Sequence, residues 1–106
     1  MTGIRFEWDE AKNASNQRKH GISFEEASQV FWDPLHVIVA DRVVDGEQRW
    51  QTLGLAHRRT GSLLLLLVAH TVCEDRKHGG YIEVIRIISA RRATSEERIS
   101  YEDENG

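Results

Sequence analysis

The stretch YIEVIRIISARRATSEERISY, from Tyr81 to Tyr101, contains a strand, its exit and the start of a helix. Ile82, Val84, Ile85, Ile87 and Ile88 give the β-branched density of a strand with much of both faces covered, interrupted by Arg86. The exit is Ser89-Ala90-Arg91-Arg92. Thr94 then stands three residues before Glu97, the capping-box spacing that opens a helix. Cationic side chains therefore sit where a buried strand surfaces, beside a helix N-terminus whose free N–H groups also attract anions. That combination suits a phosphate.

Working back from this strand, Leu63 to Val68 is six consecutive apolar residues and the best candidate for a central strand. Arg58 to Ser62, centred on Thr60-Gly61, is a turn. Trp50 to Ala56 and His36 to Ala40 are strands around the tight-turn pair Asp45-Gly46. Ser23 and Glu26 form a capping box, with Phe24, Ala27, Val30 and Phe31 on one helical face, and Asp33-Pro34 ends that helix. Asp9 caps an earlier helix through about Lys19, closed by Gly21, in which Ala11 and Ala14 are the only suggestion of a buried face. Ile4 to Trp8 alternates as a half-buried strand does. Glu74 to Gly80, containing Asp75, Lys77 and His78, reads as a solvated loop. The order β-α-α-β-β-β-β-α predicts an α+β fold: a small antiparallel β-sheet with two N-terminal helices packed on it and a C-terminal helix.

At 106 residues, 40% of them hydrophobic and 29% charged, the chain fits one soluble domain, residues 1–106. No apolar run approaches the roughly 18 residues that span a bilayer, and no signal-peptide pattern is present, so the chain is expected in the cytoplasm, away from the membrane. The single cysteine, Cys73, rules out an internal disulfide and a cysteine-based zinc site. The net charge of −3 is unevenly spread. Residues 1–93 hold 13 Lys/Arg against 12 Asp/Glu, and the acidity lies in the last helix and tail. Local basic clusters, rather than an overall basic excess, would have to serve a nucleic-acid partner.

Each candidate site residue has a plain reading and a chemical one. Arg91 and Arg92 cover apolar surface at a strand end, or they stabilise the extra negative charge that builds on a phosphoryl group when a ribose 2′-hydroxyl attacks it. Neighbouring strand residues face opposite ways, so Arg91 shares a face with Ser89 and Arg92 does not. Arg91 is favoured for the reaction and Arg92 for a supporting phosphate contact or a salt bridge. Lys19 and His20 close the first helix as a cap, or the helix C-terminus favours a charged His20 that holds a phosphate or donates a proton to a leaving oxygen. Glu47 and Arg49, two apart on one strand face, form a salt bridge, or act as general base and second phosphate contact. Glu97 and Tyr101, one turn apart, support the site or pack the last helix. Arg86, Arg58 and Arg59 are further candidate phosphate contacts, and no metal-ligand cluster has the usual spacing.

Taken together, the residues resemble the BrnT toxins of bacterial type II toxin–antitoxin systems. In the N-terminal half the resemblance lies in Phe6, Trp8, Asp9, Lys12, Asn16, Lys19-His20-Gly21-Ile22, Phe24, Ala27, Phe31 and Asp33. In the C-terminal half it lies in Arg86-Ile87-Ile88-Ser89-Ala90-Arg91, Ala93, Glu97-Arg98 and Tyr101. It implies a RelE-like ribonuclease fold and metal-independent RNA cleavage that arrests growth, without a cofactor. The partners it implies are RNA and a BrnA-like ribbon-helix-helix antitoxin, two copies of each chain in the complex, with operator DNA reached only through the antitoxin. By position it marks Lys19, His20, Glu47, Arg49, Arg91, Glu97 and Tyr101, with Arg92 beside the motif. Val72-Cys73 follows His70-Thr71 where a basic residue is expected in many relatives. The competing reading is a non-catalytic binding module, a degenerate toxin acting as co-repressor.

Overall fold

The computed structural model describes residues 2–76 and 79–105, so Lys77 and His78 of the expected loop lie outside the described residues. The chain opens with β1 (Thr2–Glu7) and α1 (Glu10–His20). Asp9 caps α1 by accepting the N–H groups of Ala11 and Lys12, and Gly21 closes it in the left-handed conformation (φ 69°) that glycine adopts without strain. The reciprocal box of Ser23 and Glu26 starts α2 (Phe24–Ser28). After one regular turn the helix tightens into a 3₁₀ segment, Gln29–Trp32. β2 (Val37–Val44) and β3 (Glu47–His57) follow, joined by Asp45 (φ 50°) and Gly46 (φ 79°). Two positive φ values in a two-residue loop match the twist of a hairpin. β4 (Leu63–Asp75), β5 (Tyr81–Arg92) and α3 (Ser95–Asn105) complete the chain.

The five strands form one sheet in the order β1-β5-β4-β3-β2, which puts the apolar run of β4 at the centre. The four late strands are antiparallel, as expected, whereas β1 pairs parallel to β5. No hairpin links those two strands, so their relative direction is not tied by a turn. The strands also run further than the apolar runs indicate. β4 continues to Asp75, which shortens the expected loop, because cross-strand pairing carries polar residues that alternate across the two faces.

One face is covered by α2 and the 3₁₀ segment, where Ile22, Phe24, Ala27 and Val30 rest on Ala56, Leu66, Val68, Ile85, Ile87 and Ala90. Burying Ile22, Phe24 and Val30 stabilises the fold by about 2 kcal/mol each. The approach is close at Gly54, where a Cβ would stand 2.8 Å from the Val30 carbonyl oxygen. At one end of the other face, Tyr101 of α3 packs with Leu53, Leu65 and Leu67.

α1 attaches differently from the alanine contact its sequence suggests. Ala11 and Ala14 are exposed, and the buried residues are Asn13 and Asn16. The pairing of β1 with β5 stops at Arg86, and beyond it the Asn16 amide takes the place of a strand. It accepts the Ala90 N–H at 3.1 Å and donates to the Ala90 carbonyl at 2.8 Å and to the Ile22 carbonyl at 2.9 Å. Asn13 accepts the Phe24 N–H at 2.9 Å. Asn16→Ala leaves these buried backbone groups unpaired and should lower stability by about 2 kcal/mol. A urea titration showing a wild-type midpoint would mean that water replaces the amide.

Candidate functional site

The face carrying α3 is only partly covered, and its open part is lined with arginines. The register puts Leu53, Leu67 and Arg91 in one row across β3, β4 and β5. Ala69 and Ser89 form the next row, with Gln51 opposite Ala69. In the row beyond, Thr71 faces Arg86, which faces Glu7 of β1, and Arg49 and Thr71 are the residues that follow the last β3–β4 pair, Trp50–His70, on their two strands. Arg49 and Arg86 thus flank the buried Thr71 from its two neighbouring strands, with backbones about 10 Å apart.

A β-bulge creates this arrangement. Ala69 pairs with Ser89 but His70 pairs with Ile87, so Ile88 is an extra residue in β5. Arg86 and Arg91 are five positions apart, an odd separation that sends two side chains of a regular strand to opposite faces. With the extra residue between them, both reach the open face. The strand sequence alone carries no marker of this bulge.

The arginines differ in what already engages them. Arg91 forms a two-pronged pair with Glu97, Nη1 to Oε1 at 2.8 Å and Nη2 to Oε2 at 3.0 Å, and Nη1 also reaches the Arg92 carbonyl. Glu97 in turn accepts the Thr94 N–H at 2.8 Å, closing the helix box. The hydrogen bonds from Arg91, outweighing partial burial, hold the Glu97 carboxyl below the usual carboxylate range. Arg91 therefore ties β5 to α3 and keeps its Nε–H and one Nη2 N–H for a ligand. Arg86 lies 3.6 Å from Glu7 in an open ion pair. Arg49 stands apart: its Nε is buried and has no hydrogen-bond partner, with the Glu47 carboxylate 4.0 Å away. A buried cationic N–H without an acceptor is costly, and an anionic oxygen over Thr71 would satisfy it. Glu47, on the same face, is largely exposed.

The other candidates lie elsewhere. Lys19 and His20 are exposed at the end of α1, bordering a groove of about 190 Å³ with Lys12, Ser15, Ile88 and Ser89 at the outer edge of β5. Ser89 is the point where this edge meets the open face. Arg92 is exposed and, by its register opposite Leu66, belongs to the helix-covered side. Arg58 is also on that side, its Nε 3.2 Å from Glu26 and its Nη2 donating to the Gly21 carbonyl, and Arg59 lies beside it along a cavity of about 610 Å³. Tyr101 donates its hydroxyl to buried Asp33 at 2.7 Å, and Asp33 also accepts the N–H groups of Leu35 and Leu55. Burial, reinforced by that carboxylate, pushes the Tyr101 phenol up to about 12, so the hydroxyl stays protonated near neutrality and anchors α3. Cys73 is exposed.

A family model for the ribonuclease toxin BrnT of type II toxin–antitoxin systems matches residues 8–97, from the end of β1 to the Arg91–Glu97 pair. The chain belongs to the BrnT family. No match was found among curated proteins. Among the described residues, no helix of this BrnT chain is long and apolar enough to cross a membrane, and no three His, Cys, Asp or Glu side chains stand where they could hold a metal ion.

Proposed function

We propose that this BrnT chain is a cytoplasmic, metal-independent endoribonuclease whose open sheet face cuts RNA and arrests growth. The observation that carries the proposal is the pair Arg49 and Arg86 on either side of Thr71, with Arg91 two rows away on the same face and an unsatisfied guanidinium N–H on Arg49. A scissile phosphate over Thr71 receives Arg49 and Arg86 from two sides, and Arg91 adds positive charge across Ser89. Glu47 takes the proton of the ribose 2′-hydroxyl. The 2′-oxygen bonds to phosphorus, the bond to the 5′-oxygen breaks, and the departing oxygen takes a proton from water. The products are a 2′,3′-cyclic phosphate and a 5′-hydroxyl.

A BrnA-like ribbon-helix-helix antitoxin neutralises the chain by placing an acidic segment over the same face, in a complex with two copies of each protein that reaches operator DNA through the antitoxin alone. The test uses purified protein with excess chelator and an RNA of defined sequence. Cleavage should persist and yield cyclic-phosphate ends, and a single 2′-deoxy substitution at the cut should stop it. Binding without cleavage would establish the non-catalytic co-repressor instead.

A further inference from the structure

Six ion pairs are formed among the described residues, and their cations are Arg5, Arg49, Arg58, Arg76, Arg86 and Arg91. α1 contributes to none of them. Its charged residues are Lys12, Arg18 and Lys19 against Glu10, and Glu10 is engaged by the Trp8 indole at 2.7 Å and the Asn13 amide at 3.3 Å. Exposed helices ordinarily pair such cations with acids one turn away. Here Lys12, Ser15 and Lys19 recur every three or four residues, forming one stripe that runs into His20. The stripe is fixed in place because Asn16, within it, holds the Ala90 backbone from the edge of β5.

We infer that the groove between α1 and the bulged edge of β5 is a second phosphate-binding subsite, through which RNA leaves the cleavage face. It rests on the open face being the cleavage surface and adds a direction to it. The strand crosses Ser89 and then follows Lys12 and Lys19, with Ser15 and His20 offering hydrogen bonds to phosphate or ribose. Lys12 and Lys19 are seven residues apart, about 10 Å along the helix, which spans about three stacked nucleotides. The subsite holds substrate and does not touch the reacting phosphate. Lys19 and His20 then act in binding, at a distance from the bond that breaks.

The double variant Lys12→Gln, Lys19→Gln tests this against wild type, with a 2′-O-methyl RNA that binds but offers no nucleophile. Both lysines are exposed, and an unchanged Tm verifies the fold. At about 0.7 per phosphate contact on a single strand, the slope of log Kd against log salt should fall by about 1.4. With cleavable RNA, KM should rise about tenfold and kcat stay within twofold. The KM effect should vanish on a dinucleotide too short to reach α1. An unchanged slope with normal cleavage overturns the inference while leaving the cleavage face intact. So does an unchanged slope with weakened antitoxin binding, which would assign the stripe to the antitoxin. A fall in kcat without a change in KM would place the lysines at the reacting phosphate and also overturn it.

Discussion

Arg49→Ala should lower the RNA cleavage rate by about 10²- to 10³-fold, the usual effect of removing one positioned donor from a developing phosphoryl charge. Arg49 is expected to matter most because its Nε is the buried donor left without a hydrogen bond, its ion pair with Glu47 being the longest of the three at 4.0 Å, whereas Arg86 and Arg91 lie closer to Glu7 and Glu97. Electrostatic stabilisation of a transition state is largest where the donor is fixed, desolvated and unshared. Arg49→Lys keeps the charge but loses the fork, so it should recover only part of the rate. Arg42→Ala, on the exposed bulge of β2, should cut normally. The measurement is single-turnover cleavage of a labelled RNA, with Tm as the check on folding. A folded Arg49→Ala that cuts at the wild-type rate would remove Arg49 from the site. Arg91→Ala is a less clean probe. It leaves Glu97 without its guanidinium and loosens α3, so lost activity could come from either change.

What the sequence made legible was what is local. The boxes at Ser23–Glu26 and Thr94–Glu97, the Asp9 cap, Gly21 and the Asp45-Gly46 turn depend on residues within one turn of each other, and all of them form. The central strand was visible in Leu63 to Val68 because six adjacent apolar residues need both faces covered. What escaped was set by register. The parallel pairing of β1 and the replacement of a strand by the Asn16 amide are decided by chain segments more than seventy residues apart, and the Ile88 bulge by the way β5 pairs with β4. The candidate site divides the same way. Alternation put Glu47 with Arg49 and Arg91 with Ser89, but only the register shows that those two pairs share a face, that the bulge adds Arg86, and that Lys19 and His20 sit at the edge. Glu97 and Tyr101, read as a pair one turn apart, serve different partners, Arg91 and Asp33.

Stability should fall by about 3 kcal/mol between pH 6.5 and pH 4 because of His70, directly beneath the arginine-lined floor. The ring is fully buried, edge-on to Phe31 at 4.8 Å, with Nε2 2.7 Å from the Thr52 hydroxyl and Nδ1 3.3 Å from the Thr71 carbonyl. The carbonyl can only accept, so Nδ1 carries the proton and Nε2 accepts from Thr52. A second ring proton would displace the Thr52 hydrogen bond inside the core, and burial pushes the ring down to about 4. Above the unfolded value near 6.5 both states are neutral and the stability is fully present. As the pH falls towards 4 the unfolded chain takes up a proton that the folded chain refuses, and up to about 1.4 kcal/mol is lost per pH unit. Below 4 this contribution is exhausted. Glu26, Asp33 and Glu97, whose carboxyls are held low, begin to lose theirs only as the pH falls through their ordinary values of 4.5 and 3.8, so they overlap the bottom of the His70 window and dominate below it. Urea midpoints at pH 7, 5.5 and 4.5 for wild type and His70→Gln separate the two windows. The glutamine amide can still bond Thr52 but does not titrate, so the variant should lose less stability across the upper window. Equal slopes in the two proteins would show that the buried ring does not govern it. Since Thr71 lies between Arg49 and Arg86 on the other face of the same strand, cleavage should fail in acid together with the fold.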